Sequence, residues 1–127
     1  MKSSGKVNYL TIAQGIYFFI TGIWPILHIE SFIAVTGPKT DIWLVKTVGM
    51  LALAIGVGLL AAGIKRQLSL PLVLIAAGSA FGFALVDIIY VWKAVIDPIY
   101  LLDAFIELIL LVFWLVLMFK PRHRELF

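Results

Sequence analysis

Four apolar runs separated by short polar breaks organise the chain, over residues 7–28, 42–64, 68–92 and 99–119. About 20 residues of helix, at about 1.5 Å rise each, cross the roughly 30 Å of bilayer hydrocarbon. The pattern therefore predicts an all-α polytopic membrane protein: a four-helix bundle, antiparallel and up-down-up-down, forming one transmembrane domain over residues 1–127. The breaks are too short for a soluble catalytic or receptor domain. Lys65 and Arg66 make a tight turn after the second span, and Pro71 suits the first turn of the third, where a missing amide hydrogen matters little. Residues 93–98 turn the chain between the third and fourth spans. Between the first and second, Thr36-Gly37-Pro38-Lys39-Thr40-Asp41 reads as a turn in which Thr40 or Asp41 caps the next helix. The preceding Phe32-Ile33-Ala34-Val35 is expected to lie along the membrane interface as a short amphipathic segment.

Composition agrees with that pattern. The chain is 63% hydrophobic and 13% charged, with a mean hydropathy of +1.11, outside the range of soluble domains. The absence of cysteine excludes disulfides, thiolate nucleophiles, CxxC redox centres and thiolate metal sites. The net charge of +3 is distributed by topology and does not point to nucleic acid. Lys2, Lys6, Lys65, Arg66, Lys120, Arg122 and Arg124 fall on one side, whereas Glu30, Lys39, Asp41, Lys93 and Asp97 nearly balance on the other. The positive-inside rule then places both termini in the cytoplasm. Trp24, Trp43, Trp92 and Tyr100 mark the outer boundary as an aromatic belt. The first run continues into Trp24-Pro25, His28 and Glu30 where a signal peptide would carry its cleavage site, so it reads as a retained helix.

Helices associate in lipid through close packing, which small residues permit. The second span carries Gly49, Ala52 and Gly56 on one stripe and Ala54, Gly58 and Ala62 on another. The third carries Ala76, Ala80 and Ala84 beside Gly78 and Gly82. These two spans are expected to form the tight centre of the bundle, with homodimerisation as the competing use of the same stripes.

Candidate chemistry lies in the charges inside apolar runs, because an uncompensated charge at mid-membrane costs on the order of 2.5–3.5 kcal/mol on insertion scales. Asp103 and Glu107 are four residues apart and share a helix face, with Tyr100 one turn outward. Glu107 sits about 12 Å below the outer end of its span. Asp87, with Tyr90 one turn away, lies about 8 Å below the outer end of its span and Lys46 at a comparable depth, so the four groups occupy one slab of the bilayer. Three acids facing one amine leave an excess, relieved if carboxyl groups hold protons. The first span adds a polar stripe of Thr11, Gln14, Thr21 and His28, which either lines the same cavity or hydrogen-bonds between helices. The candidate ligand-binding or proton-carrying residues are thus Lys46, Asp87, Asp103, Glu107, Tyr90, Tyr100, Gln14 and His28. Zinc at His28, Glu30 and Asp41 lacks an HExxH-like spacing or a second histidine on that side, and no metal, other cofactor or catalytic residue is expected.

The four-helix layout, the glycine-bearing second span and the segment Thr36-Gly37-Pro38-Lys39-Thr40-Asp41-Ile42-Trp43-Leu44-Val45-Lys46 resemble small bacterial four-helix membrane proteins of the DoxX-like type. The resemblance implies a bundle in a bacterial inner membrane and supplies no catalytic residue. The leading functional expectation is an outward-opening polar pocket that binds or transports a small polar or amphipathic ligand, with a lipid or quinone headgroup among the candidates. Protonation of Glu107 or Asp103 is a candidate for coupling to occupancy. The alternative is a non-catalytic accessory or assembly subunit, paired with itself or with a membrane partner, in which a Lys46-carboxylate bridge only orders the helices. An intramembrane enzyme using the carboxylates as acid and base is a third option, without a second chemical signature.

Overall fold

The computed structural model describes residues 5–119, which form five helices: α1 (Gly5–Leu27), α2 (Ile29–Thr36), α3 (Ile42–Lys65), α4 (Leu70–Trp92) and α5 (Tyr100–Met118). All but α2 are long and apolar enough to cross a membrane, so the chain is an all-α integral membrane bundle. Lys2, Lys120, Arg122, His123 and Arg124 lie outside the described residues. The expected turn after α3 is present: Arg66 adopts the left-handed conformation (φ 56°, ψ 40°) and donates its amide to Ala62 and Gly63. Pro71 falls in the first turn of α4. Asp41 occupies the N-cap of α3, though without a side-chain capping bond. The Phe32 to Val35 segment is helical, as part of α2.

The closest helix contact is a glycine seam between α1 and α3. A Cβ added to Gly22 would come within 2.6 Å of both the Gly49 carbonyl oxygen and the Leu53 amide nitrogen. One added to Gly56 would lie 2.7 Å from the Phe19 amide nitrogen and 2.9 Å from the Gly15 carbonyl oxygen. Gly15 and Gly22 on α1, and Gly49, Gly56 and Gly63 on α3, recur every seven residues, so they stay on one seam as two helices cross at a shallow angle. The backbones touch directly, and the gain comes from dispersion between atoms that no side chain holds apart.

This corrects the expected pairing of the second and third spans. The Gly49, Ala52, Gly56 stripe of α3 is spent on α1, while α4 packs chiefly on α5, leaving α3 and α4 few contacts beyond their connecting turn. Sequence spacing identifies a stripe of small residues but not the helix it faces, and here Gly15 and Gly22 supply the partner.

Near the α3–α4 turn the four long helices close on an apolar core. Val7 and Leu10 of α1, Leu59 of α3, Val73 and Ala80 of α4, and Leu110 and Trp114 of α5 are buried in it. Toward the α2 end, α3 stands away from α4 and α5. The bundle is therefore packed at one end and hollow at the other.

Gly56→Ala is expected to force α1 and α3 apart and to lose about 1–3 kcal/mol, read by steric-trapping unfolding in bicelles. Gly58, with nothing within 4 Å of an added Cβ, is expected to accept alanine within about 0.5 kcal/mol.

Candidate functional site

The acids face inward because they extend the packed stripes of their helices. On α4, Ala80, Ala84 and Asp87 follow at four- and three-residue steps and are all buried. On α5, Ala104, Glu107, Leu110, Trp114 and Leu117 form the buried face, and Asp103 precedes Glu107 by one turn. Asp87 is 5% exposed and Glu107 1%, burial that charged residues reach only with a partner or a proton.

Three of these groups converge. The Tyr17 hydroxyl of α1 donates to Asp103 Oδ1, and Asp87 lines the same cavity as both. Asp87 Oδ2 and Glu107 Oε1 are buried with no hydrogen-bond partner among the described residues. Such oxygens carry a desolvation penalty of about 1–3 kcal/mol each, more if charged.

Asp87, Asp103 and Glu107 all line a cavity of about 830 Å³ at the hollow end. Its walls are otherwise mainly apolar and aromatic: Tyr17, Phe18 and Trp24 from α1, Leu44, Val45 and Val48 from α3, Phe83 and Val86 from α4, and Tyr100, Leu102 and Ile106 from α5. Phe32, Val35 and Thr36 of α2 contribute the remaining cover. Trp24 fixes that short helix from below, donating its indole N–H to Ser31 Oγ at 2.8 Å and meeting the Phe32 ring edge-on at 5.3 Å. Lys39 fixes it at the far end. Its ammonium donates to the Thr36 and Gly37 carbonyls at 3.0 and 2.9 Å, where helix C-terminal carbonyls favour a cation, and sits 5.1 Å from the Tyr100 ring centre. Gly37 joins this cover to the α4–α5 loop at φ 97°, with a would-be Cβ only 3.1 Å from Asp97 Cβ, so both conformation and space favour glycine there.

Gln14 lies outside the cavity lining. It is fully buried, donates to the Ala76 carbonyl at 2.8 Å and accepts from Trp114 Nε1 at 2.6 Å. One amide thus ties α1 to α4 and α5. Thr11 and Thr21 bond back to carbonyls four residues earlier, Val7 and Tyr17, and among the described residues show no interhelical bond of the expected kind, while Thr21 does line the cavity.

Besides Gln14, three further expected site residues are elsewhere. Lys46 is exposed, does not line the cavity and makes no ion pair among the described residues. It falls on the opposite side of the glycine seam from Val45 and Val48, so depth alone did not bring it to the acids. Tyr90 is 41% exposed and carries Lys93 near its ring at 5.8 Å, outside the cavity. His28 is exposed and caps α2, its Nδ1 accepting from the Ser31 amide at 3.2 Å. Tyr100 does line the cavity. Sequence reasoning missed Tyr17 and Lys39. Tyr17 was detectable, since it falls three residues after Gln14 and four before Thr21 on the polar stripe of α1; Lys39 reads in sequence as an ordinary loop charge.

Among the described residues no group of three His, Cys, Asp or Glu side chains is placed to hold a metal ion. Comparison with protein-family models, with curated proteins and with solved structures finds no match to this chain.

Gln14→Leu is expected to leave the Trp114 N–H buried without an acceptor and to lose about 1–2 kcal/mol. In a double-mutant cycle, Trp114→Phe combined with Gln14→Leu is expected to cost clearly less than the sum of the single changes.

Proposed function

We propose that the protein is a membrane binding protein whose cavity between α3 and the α4–α5 pair takes a small amphipathic ligand, polar head against the acids and apolar body between the helices. The observation that carries this reading is the pair of buried, unpartnered carboxyl oxygens on Asp87 and Glu107 at the wall of an 830 Å³ cavity. In an apolar interior such atoms are stabilised by a donor, which the described residues do not supply. The volume falls within the range of about 300–1,000 Å³ in which small-molecule ligands are held.

The rim supports entry from the lipid side. Val48, Val86 and Leu102 line the cavity and remain 48%, 50% and 60% exposed, an apolar border from three helices, whereas α2 and Lys39 cover the end at which an outward mouth would open. A ligand dissolved in the bilayer crosses such a border without leaving an apolar medium. The bonded Tyr17 and Asp103 share the cavity with Asp87 and Glu107, so coupling of occupancy to protonation belongs to the proposal. Kinship with DoxX-like proteins is proposed at the level of layout only.

The accessory-subunit reading draws less support, since the Lys46-carboxylate bridge it rested on has an exposed lysine with no acid beside it.

The test is native mass spectrometry of protein reconstituted with defined phosphatidylethanolamine, phosphatidylglycerol and ubiquinone, and of protein purified directly from cells. One amphiphile is expected to be retained in stoichiometric amount in at least one preparation. Glu107→Gln should reduce its occupancy at least tenfold, and Lys46→Met should leave it unchanged. Equal retention by Glu107→Gln, or no retained amphiphile in either preparation, contradicts the reading.

A further inference from the structure

From the chemistry of the cavity we infer that the ligand is a lipophilic organic cation with hydrogen-bond donors on its charged head: an ammonium or guanidinium group joined to an apolar body, seated on Asp87 and Glu107. The inference rests on the proposal that this cavity is a binding site and names the class of molecule it takes.

Charge is the first argument. Asp87, Asp103 and Glu107 reach the cavity from two helices, and among the described residues no Lys, Arg or His is part of its lining. Lys46 faces away, and Lys39, the nearest basic residue identified at the cover, is already committed to the Thr36 and Gly37 oxygens at the end of α2. The cluster therefore has three acids and no internal counter-charge, which a cationic head would supply.

Hydrogen-bond polarity is the second. Tyr17 supplies a donor to Asp103, but Asp87 Oδ2 and Glu107 Oε1 have none. Both atoms belong to side chains more than nine-tenths buried and both residues line the cavity. An ammonium offers up to three N–H groups and a guanidinium up to five, and bonds from a charged donor to a carboxylate are about twice as strong as neutral ones. A quinone head offers only acceptors, and a phosphate or fatty-acid head would add negative charge to a site that already holds three acids.

The walls supply the third. Tyr17, Phe18, Trp24, Phe83 and Tyr100 line the space around the acids, and aromatic faces attract an organic cation by about 0.5–2 kcal/mol each when well placed. Among the described residues no three acids are grouped to hold a metal ion, and the cavity far exceeds the volume of one. Size, rings and acceptors together fit an amphipathic amine.

The test uses the whole protein in nanodiscs and monodansylcadaverine, a primary ammonium on a five-carbon chain ending in a dansyl group, with energy transfer from tryptophan as the readout. The matched dansyl pentylamide lacks only the ammonium. Saturable binding of the amine at least tenfold tighter than that of the pentylamide is expected, with displacement by octylamine and not by decylubiquinone or octanoate. Asp87→Asn and Glu107→Gln should each weaken the amine at least tenfold and leave the pentylamide unchanged. Equal affinity for amine and pentylamide, or displacement by decylubiquinone as effective as by octylamine, overturns the cationic assignment while the binding reading stands. Absence of saturable binding by the amine, the pentylamide and decylubiquinone alike overturns both. The comparison among probes uses the unaltered protein, so it decides the question even if either variant fails to fold.

Discussion

Direct backbone contact between α1 and α3 sets the shape of this molecule. Glycines repeating every seven residues let two apolar helices approach until main-chain atoms meet, with the Gly22 and Gly49 carbonyls each lying where the other residue's Cβ would be. Each helix has a limited surface for its neighbours, and α3 gives its small face to α1. It cannot then also lie close along α4, although a short turn joins the two. The space that opens between them toward α2 is the cavity, so a feature made only of hydrogen atoms at Cα determines where the polar residues of two other helices can point.

The two ends of the bundle solve different problems. At the α3–α4 turn, Leu59, Val73, Leu110 and Trp114 fill the interior, and Gln14 cross-braces three helices with both halves of its amide bonded. Every polar atom described for that amide has a partner, which is what a dry interior demands. At the α2 end the acids break this rule: Tyr17 and Asp103 are paired, while Asp87 and Glu107 each keep a buried oxygen unpartnered. The same bundle that satisfies Gln14 leaves these two open beside a cavity. That contrast within one chain distinguishes a binding surface from a structural network.

Span positions, the tight turn at Lys65 and Arg66, the inward direction of Asp87 and Glu107 and the buried stripe of α1 were legible in the sequence, because each follows from helical periodicity and the cost of polar groups in lipid. Partner choice was not. Counting residues along the spans puts Lys46 and Glu107 in one slab of the bilayer, but depth fixes one coordinate and the rotation of α3 about its axis is set by a seam with α1 that only the tertiary packing reveals. Tyr17 was detectable as a member of the polar stripe of α1, but the stripe does not name the acid that its hydroxyl meets, and Asp103 lies on a helix far along the chain. Lys39 illustrates the reverse, a loop charge that becomes a structural pin once α2 folds over the cavity and brings its C-terminal carbonyls and the Tyr100 ring together.

The most direct measurement is short-range cross-linking in lipid bilayers, for which the chain is suited because it contains no cysteine. Cysteines replacing Asp87 and Asp103 are expected to be joined rapidly by a short bis-methanethiosulfonate reagent, while a pair at Lys46 and Asp103 is not. Rapid linkage of the Lys46 pair with none of the Asp87 pair would mean that α3 presents a different face to the acids, and would contradict the cavity and the seam that creates it.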